Sequence, residues 1–317
     1  MEECSSKKNI LITGGMGFIG SHIAKKYIQN QDNVYILSRS YNKKQNISGI
    51  ENKVNLIIKD IRDIGESDVA EKDYIFHFAG TVDNYAIKEG EPYKDIEINC
   101  NGTIALLEAC KNFNPTTKII FGSTFFVNGN VDKLPVNADS PCNPLGLYGA
   151  TRLAAEHFCH VYNEVFDLNS LIARFTNVFG PFESGNNKKK AAFNFMINQA
   201  VKGEELQLYN NGNFFRDYLY VDDAVDACIT LAEKGQKNKV YYVGRGEYVK
   251  FRRLIDIIIE QIPDTKVNVI EPPEFHKAVG IKDFVCDNSD LKGLGWTPKV
   301  SLEEGIKRTI EFYKNNL

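Results

Sequence analysis

Short runs of apolar residues alternate along this chain with longer stretches in which apolar positions recur every three or four residues. Asn9-Ile10-Leu11-Ile12 is the first such run, and His22-Ile23-Ala24-Lys25-Lys26-Tyr27-Ile28 carries the first helical spacing. Further runs follow at Asn33-Val34-Tyr35-Ile36-Leu37, Val54-Asn55-Leu56-Ile57-Ile58, Tyr74-Ile75-Phe76-His77-Phe78, Lys118-Ile119-Ile120-Phe121 and Ser170-Leu171-Ile172-Ala173-Arg174-Phe175. Between them, helices are predicted over roughly Ile96 to Phe113 and Tyr148 to Phe166. Four- to six-residue apolar runs joined by helices imply strands buried on both faces, hence a parallel sheet with right-handed crossovers.

Between the first run and the first helix lies Thr13-Gly14-Gly15-Met16-Gly17-Phe18-Ile19-Gly20. A strand, a glycine turn and a helix open a dinucleotide-binding βαβ unit. Gly14 would make the tight turn, Gly17 would admit a pyrophosphate to the backbone, and Gly20 would let the helix pack closely. The second strand ends at Ser38-Arg39, where an NAD unit usually carries an acid for the ribose hydroxyls and an NADP unit a cation for the 2′-phosphate. The missing acid and the guanidinium favour NADP and leave NAD open. Ligands on such a sheet lie at the carboxyl ends of the strands, which places Asp60, Ala79 and Gly80 beside the cofactor.

Composition narrows the class. The chain has 317 residues and a net charge of −3, values of an ordinary globular protein with one large or two closely joined α/β domains. No basic surface for nucleic acid is indicated, Lys188-Lys189-Lys190 reading as a solvated loop. No run spans a bilayer, and the polar Met1 to Lys8 stretch leaves no room for an apolar signal region. Seven cysteines without a C-x-x-C pair read as reduced packing residues of a cytoplasmic protein, with no disulfide frame or metal site. His77 is expected to pack beneath the cofactor. The polar Glu183 to Lys190 loop reads as a flap or plain surface.

Taken together, the glycine turn, Asp60-Ile61-Arg62-Asp63, His77-Phe78-Ala79-Gly80, Gly122-Ser123-Thr124, Tyr148 with a cation four residues on, Asn177-Val178-Phe179-Gly180-Pro181 and Arg216-Asp217-Tyr218 resemble the extended short-chain dehydrogenase/reductases. The resemblance is to their nucleotide-sugar epimerases, dehydratases and 4-ketoreductases, and it runs on to Trp296-Thr297-Pro298. It implies a Rossmann-type doubly wound parallel sheet over 1–178 plus about 215–245, and a smaller α/β nucleotide-sugar-binding domain over about 179–214 plus 246–317. It further implies a catalytic set of Thr124, Tyr148 and Arg152. Cofactor contacts would come from Gly14, Gly17, Phe18, Ile19, Ser38, Arg39, Asp60, Ile61, Phe78, Ala79, Gly80 and Asn99, with Tyr148 and Arg152. Thr81, Thr124, Asn177, Asn194, Leu208, Arg216 and Lys277 would bind the nucleotide-diphosphate sugar. A homodimer through the Ile96–Phe113 and Tyr148–Phe166 helices is also implied; an apolar stripe including Leu107, Cys110 and Phe158 is compatible with it and also with ordinary core packing.

Three departures shape the expected chemistry. Arg152 stands where the family has lysine, Asn128 where it has tyrosine, and Phe125-Phe126 where its 4,6-dehydratases have an Asp-Glu pair. A free phenol is only about one part in a thousand ionised at neutral pH. One cation about 5 Å away contributes on the order of 3 kcal/mol at an effective dielectric constant of about 20. Arg152, one helical turn from Tyr148, supplies that cation but does not readily release a proton. Elimination needs an acid and a base that two phenylalanines cannot provide, which argues against a 4,6-dehydratase. The expectation is therefore an NAD(P)-dependent oxidoreductase at C4 of a nucleotide sugar, a 4-dehydrogenase or 4-ketoreductase. The alternatives are a 4-epimerase retaining NAD and a catalytically silent sensor of dinucleotide or sugar nucleotide. Arg216 has an open alternative too, a surface ion pair with Asp217.

Overall fold

The computed structural model describes residues 7–82, 91–186 and 191–316. The Lys188-Lys189-Lys190 cluster, Cys4 and the start of the chain lie outside them, as does the end of the Glu183 to Lys190 loop.

Six of the predicted strands form β1 (Asn9–Thr13), β2 (Asn33–Ser38), β3 (Val54–Ile58), β4 (Tyr74–His77), β5 (Lys118–Thr124) and β6 (Asn169–Phe175). Seven shorter strands follow: β7 (Asn177–Phe179), β8 (Leu206–Tyr209), β9 (Phe215–Arg216), β10 (Tyr218–Tyr220), β11 (Val240–Val243), β12 (Val249–Lys250) and β13 (Val267–Ile270). The central sheet is parallel in the order β11-β6-β5-β4-β1-β2-β3. That is the Rossmann-type doubly wound sheet, with its switch point between β1 and β4.

The unbroken apolar runs arise because both faces of the sheet are covered. Ile10, Ile12, Ile36 and Phe76 pack toward Ile23 and Tyr27 of the Phe18–Gln29 helix and Leu231 of the Val221–Lys234 helix. The alternate residues Leu11, Leu37, Ile75 and Phe121 pack toward Leu106, Cys110, Ala155 and Cys159. Leu107 and Cys110 are fully buried in this layer. Of the two readings of that stripe, core packing therefore holds at these two positions, where a sheet-facing helix must place its apolar side.

The helix predicted over Ile96 to Phe113 is a regular α-helix only from Gly102 to Phe113, and its first six residues, Ile96–Asn101, are wound as a π-helix. Beyond the central sheet, β8 pairs with β13 in parallel and β9 with β12 antiparallel, beside the Ala192–Val201 and Phe251–Gln261 helices. All six described cysteines are free. Among the described residues no helix is long and apolar enough to cross a membrane.

Candidate functional site

At the switch point, Gly14 turns the chain with φ +70°, and a side chain there would lie 2.8 Å from Ala79 N. Glycine is required on both counts. Gly17 donates its N–H to Gly14 O at 2.7 Å, closing the turn before the Phe18–Gln29 helix. A Cβ on Gly20 would stand 2.8 Å from Gly14 O, so that helix rests directly on the turn. Beneath it, Ala79 N–H donates to Thr13 Oγ1 at 3.2 Å, and Thr13 Oγ1 meets His77 Nδ1 at 2.7 Å. His77 Nε2 meets Thr103 Oγ1 at 3.1 Å, and that hydroxyl donates to Asn99 O at 2.6 Å. Because Thr103 spends its proton on Asn99, His77 must donate from Nε2 and accept at Nδ1, which makes it neutral. Burial, then the nearby Arg152 charge, pushes its pKa down to about 3. His77 thus braces the turn and the Phe78–Gly80 segment from below.

A cavity of about 290 Å³ opens over this turn, and its walls include Gly14, Gly17, Ser38, Arg39, Asp60, Ile61, Phe78, Ala79 and Gly80. Phe18 and Ile19 begin the helix that points its N-terminus at the turn, while their partly buried side chains pack toward the core. Asn42, Lys43 and Lys59 also line the cavity. The sequence reading missed them, although a cation four residues after Arg39 in the loop leaving β2 was a usable signal. Asp60 caps the Ile61–Asp63 turn and takes Arg62 Nε and Nη2 at 2.9 and 3.0 Å. Those hydrogen bonds hold its carboxyl below the usual carboxylate range.

The predicted catalytic residues come from β5 and the Leu147–Phe166 helix. Thr124 ends β5, and its Oγ1 accepts the Phe126 N–H at 3.3 Å. The Phe126 ring stands edge-on to Tyr148, with centroids 6.0 Å apart, so Thr124 and Tyr148 border the same phenylalanine. One turn on, Arg152 is 3 % exposed, its guanidinium carbon 5.8 Å from the centre of the Tyr148 ring and 5.6 Å from that of Phe121. Its Nε and Nη1 are buried and have no hydrogen-bond partner among the described residues. Two unpaired donors on a buried cation carry a desolvation cost that a hydroxyl-bearing ligand would offset.

Several other predicted contacts are committed within the protein. Asn99 Oδ1 accepts the Thr81 N–H at 2.9 Å, while its Nδ2 donates to Thr81 Oγ1 and Thr151 Oγ1. Thr81 Oγ1 donates in turn to Asp95. Asn194 donates to Gly180 O at 2.7 Å and Tyr313 Oη at 2.9 Å and accepts the Gly180 N–H, joining three segments in a buried position. Leu208 is buried on β8. Asn177 Nδ2 donates to Asp217 O at 3.2 Å. Lys277 pairs at the surface with Glu274, 3.0 Å away on the Glu274–Val279 helix.

Arg216 and Asp217 part company. The Arg216 guanidinium donates to the carbonyls of Phe215, Ile281 and Lys282. The carboxylate of Asp217 instead accepts the backbone N–H groups of Arg245, Gly246 and Cys286 at 2.7, 2.9 and 3.2 Å. The surface ion pair between them is therefore not formed, because Asp217 is buried and each side chain is spent on backbone groups. Burial pulls the pKa of Arg216 below its ordinary value.

A buried polar chain under Thr124 was also missed. Ser123 Oγ donates to Glu156 Oε1, and Glu156 takes Arg174 Nη2 at 2.7 Å. Arg174 Nη1 donates to Tyr242 Oη at 3.2 Å, which donates to Asn128 Oδ1 at 2.6 Å. The signal was Glu156 itself, two turns after Tyr148 on the same helix face, opposite an arginine inside an apolar strand. Among the described residues no cluster of three or more His, Cys, Asp or Glu is placed to hold a metal.

The sequence pattern of the NAD dependent epimerase/dehydratase family matches residues 10–244. Among similar proteins is a candidate UDP-glucose 4-epimerase of Methanocaldococcus jannaschii, 32% identical over 97% of this chain and 99% of the relative. A solved UDP-N-acetylglucosamine 4-epimerase of Methanobrevibacter ruminantium, in complex with UDP-N-acetylmuramic acid, is 28% identical with a TM-score of 0.91 over 98% of this chain and 99% of its own. The UDP-glucuronic acid 4-epimerase of Bacillus cereus, in complex with UDP-glucuronic acid and NAD, is 26% identical with a TM-score of 0.86 over 98% of this chain and 100% of its own.

Proposed function

Because the chain belongs to the NAD dependent epimerase/dehydratase family, we propose that it is a nucleotide-sugar 4-epimerase that retains NAD through each turnover. This alternative takes the place of the 4-dehydrogenase or 4-ketoreductase expectation, and NAD that of the NADP which Ser38-Arg39 favoured. The relatives described as 4-epimerases of UDP sugars support it. So do the residues: the observation that carries the reading is the pair of uncommitted Arg152 donors, set between the Tyr148 ring and Gly80, which lines the glycine-turn cavity.

The fit to a dinucleotide is physical. The Gly14 turn leaves no side chain above the cavity, the following helix offers its N-terminus to a pyrophosphate, and Arg152 offers two donors to ribose hydroxyls. When bound, NAD would supply the hydride acceptor and donor for C4, and inversion requires the 4-keto sugar to present its opposite face before the hydride returns. Tyr148 Oη takes the proton of the 4-hydroxyl as C4 is oxidised and gives it back on reduction. Thr124 Oγ1 orients the sugar oxygen, and Arg152 sets its guanidinium beside the Tyr148 ring. The Phe126 ring occupies the wall where an elimination would require an acid, so no dehydration step is assigned. Arg216, through the N–H groups that its three carbonyl bonds leave over, and the backbone of β8 hold the nucleotide diphosphate, with 179–214 and 246–317 as the sugar-nucleotide lobe. Pairing of two copies through the Leu147–Phe166 helix completes the assembly.

The test is to denature the purified protein, identify the released dinucleotide by mass spectrometry, and assay UDP-hexose interconversion without added cofactor. NAD released, with product formed and no net change in absorbance near 340 nm, is the expected result. Stoichiometric consumption of NADPH or NADH would overturn it in favour of the 4-ketoreductase, and recovered NADP would assign Arg39 to a 2′-phosphate. Tyr148→Phe is expected to lower turnover by about 10²- to 10⁴-fold, the contribution of a positioned acid/base, while the dinucleotide stays bound.

A further inference from the structure

We propose that Gly80 is a positioning residue that decides which cation can occupy position 152. The absence of a side chain at Gly80 makes the seat in which the Arg152 guanidinium lies. A Cβ built on Gly80 would overlap Arg152 Nη2 and stand 2.8 Å from Cζ. The need for glycine here is spatial alone, because the Gly80 backbone is outside the left-handed region and any residue could adopt it. On its other sides the guanidinium is confined by the Phe121 and Tyr148 rings, at 5.6 and 5.8 Å. The whole residue is only 3 % exposed.

A methyl group at position 80 must therefore displace the guanidinium. That moves Nε and Nη1, the two donors without protein partners among the described residues. The end of an arginine side chain yields at little cost to the fold, so the damage falls on what those donors hold. A lysine carries a single nitrogen and no planar fork, and it leaves that space free. Asn99 Oδ1 lies 2.8 Å from the same Cβ, which adds a cost independent of residue 152. Gly80 and Arg152 form a matched pair: a larger residue at one position requires a smaller one at the other.

The inference rests on the reading that Arg152 serves a nicotinamide dinucleotide, and a double-mutant cycle separates the two. NAD affinity is measured by fluorescence titration for the wild type, Gly80→Ala, Arg152→Lys and the double variant. Gly80→Ala should weaken binding about tenfold or more in the wild-type background and only about two- to threefold in the Arg152→Lys background, a coupling of the size seen between contacting residues. Equal losses in both backgrounds would overturn the proposal, since Asn99 alone would then explain them. If the wild type binds no NAD, the proposed function falls while the seat is still decided by crystal structures of the wild type and Gly80→Ala. A guanidinium displaced from between Phe121 and Tyr148 in the variant upholds it, and an unmoved one overturns it.

Discussion

Glu183 and His77 show how single side chains set a pH window. Burial pushes the Glu183 carboxyl up to about 8, with the Lys43 charge opposing it. Its folded pKa lies above the ordinary value of 4.5, so the folded chain binds the proton more tightly and stability falls as pH rises from 4.5 toward 8. Glu183→Gln should therefore raise the melting temperature over wild type more at pH 8.5 than at pH 5, and an equal shift at both would refute the assignment. His77 acts at the other end. Its pKa lies below the usual 6.5, so the unfolded chain takes up a proton that the folded one refuses, and stability is lost as pH falls below about 6.5. The glycine turn and the one-turn spacing of Tyr148 and Arg152 were legible residue by residue, because each rests on local spacing; the bonds of His77 to Thr13 and Thr103 were not. What Arg216 touches was not: its carbonyl partners Ile281 and Lys282 lie more than sixty residues away in the chain.

Within the Leu147–Phe166 helix, positions 148, 152 and 156 share one face and serve three ends. Tyr148 and Arg152 line the candidate site, whereas Glu156 turns under β5 to Ser123 and Arg174. With both partners about 5 % exposed, removing one leaves the other charge stranded. Glu156→Ala should cost about 3–5 kcal/mol in urea unfolding. The apolar pair Glu156→Leu with Arg174→Met should cost far less, and a double variant as damaged as the single one would show that packing rather than charge dominates. At this scale the strands were readable from their apolar runs and the helices from their spacing. The π-wound start at Ile96–Asn101 was not, because its geometry comes from Asn99 and Thr103 bonding to distant groups, Thr81, Thr151 and His77.

Across the whole molecule, the surface left for a second copy differs from the stripe that helical spacing suggested. Leu107 and Cys110 are inside, while Val161 and Val165, one turn apart on the Leu147–Phe166 helix, are 48% and 65% exposed. Val161→Asp with Val165→Asp should convert a dimer to a monomer in sedimentation, and an unchanged mass would remove this helix from the pairing. The chain's apolar periodicity and its glycine spacing were sufficient for the doubly wound sheet and the turn at its switch point, because these depend on residues near one another in sequence, whereas the roles proposed for Thr124 and Tyr148 rest on the family resemblance. Only the tertiary structure decided which polar side chains stay available to a ligand. Asn99, Thr81 and Asn194 are consumed by partners that the fold brings to them, while Arg152 keeps two donors unpaired in a seat cut by Gly80, seventy-two positions earlier in the chain.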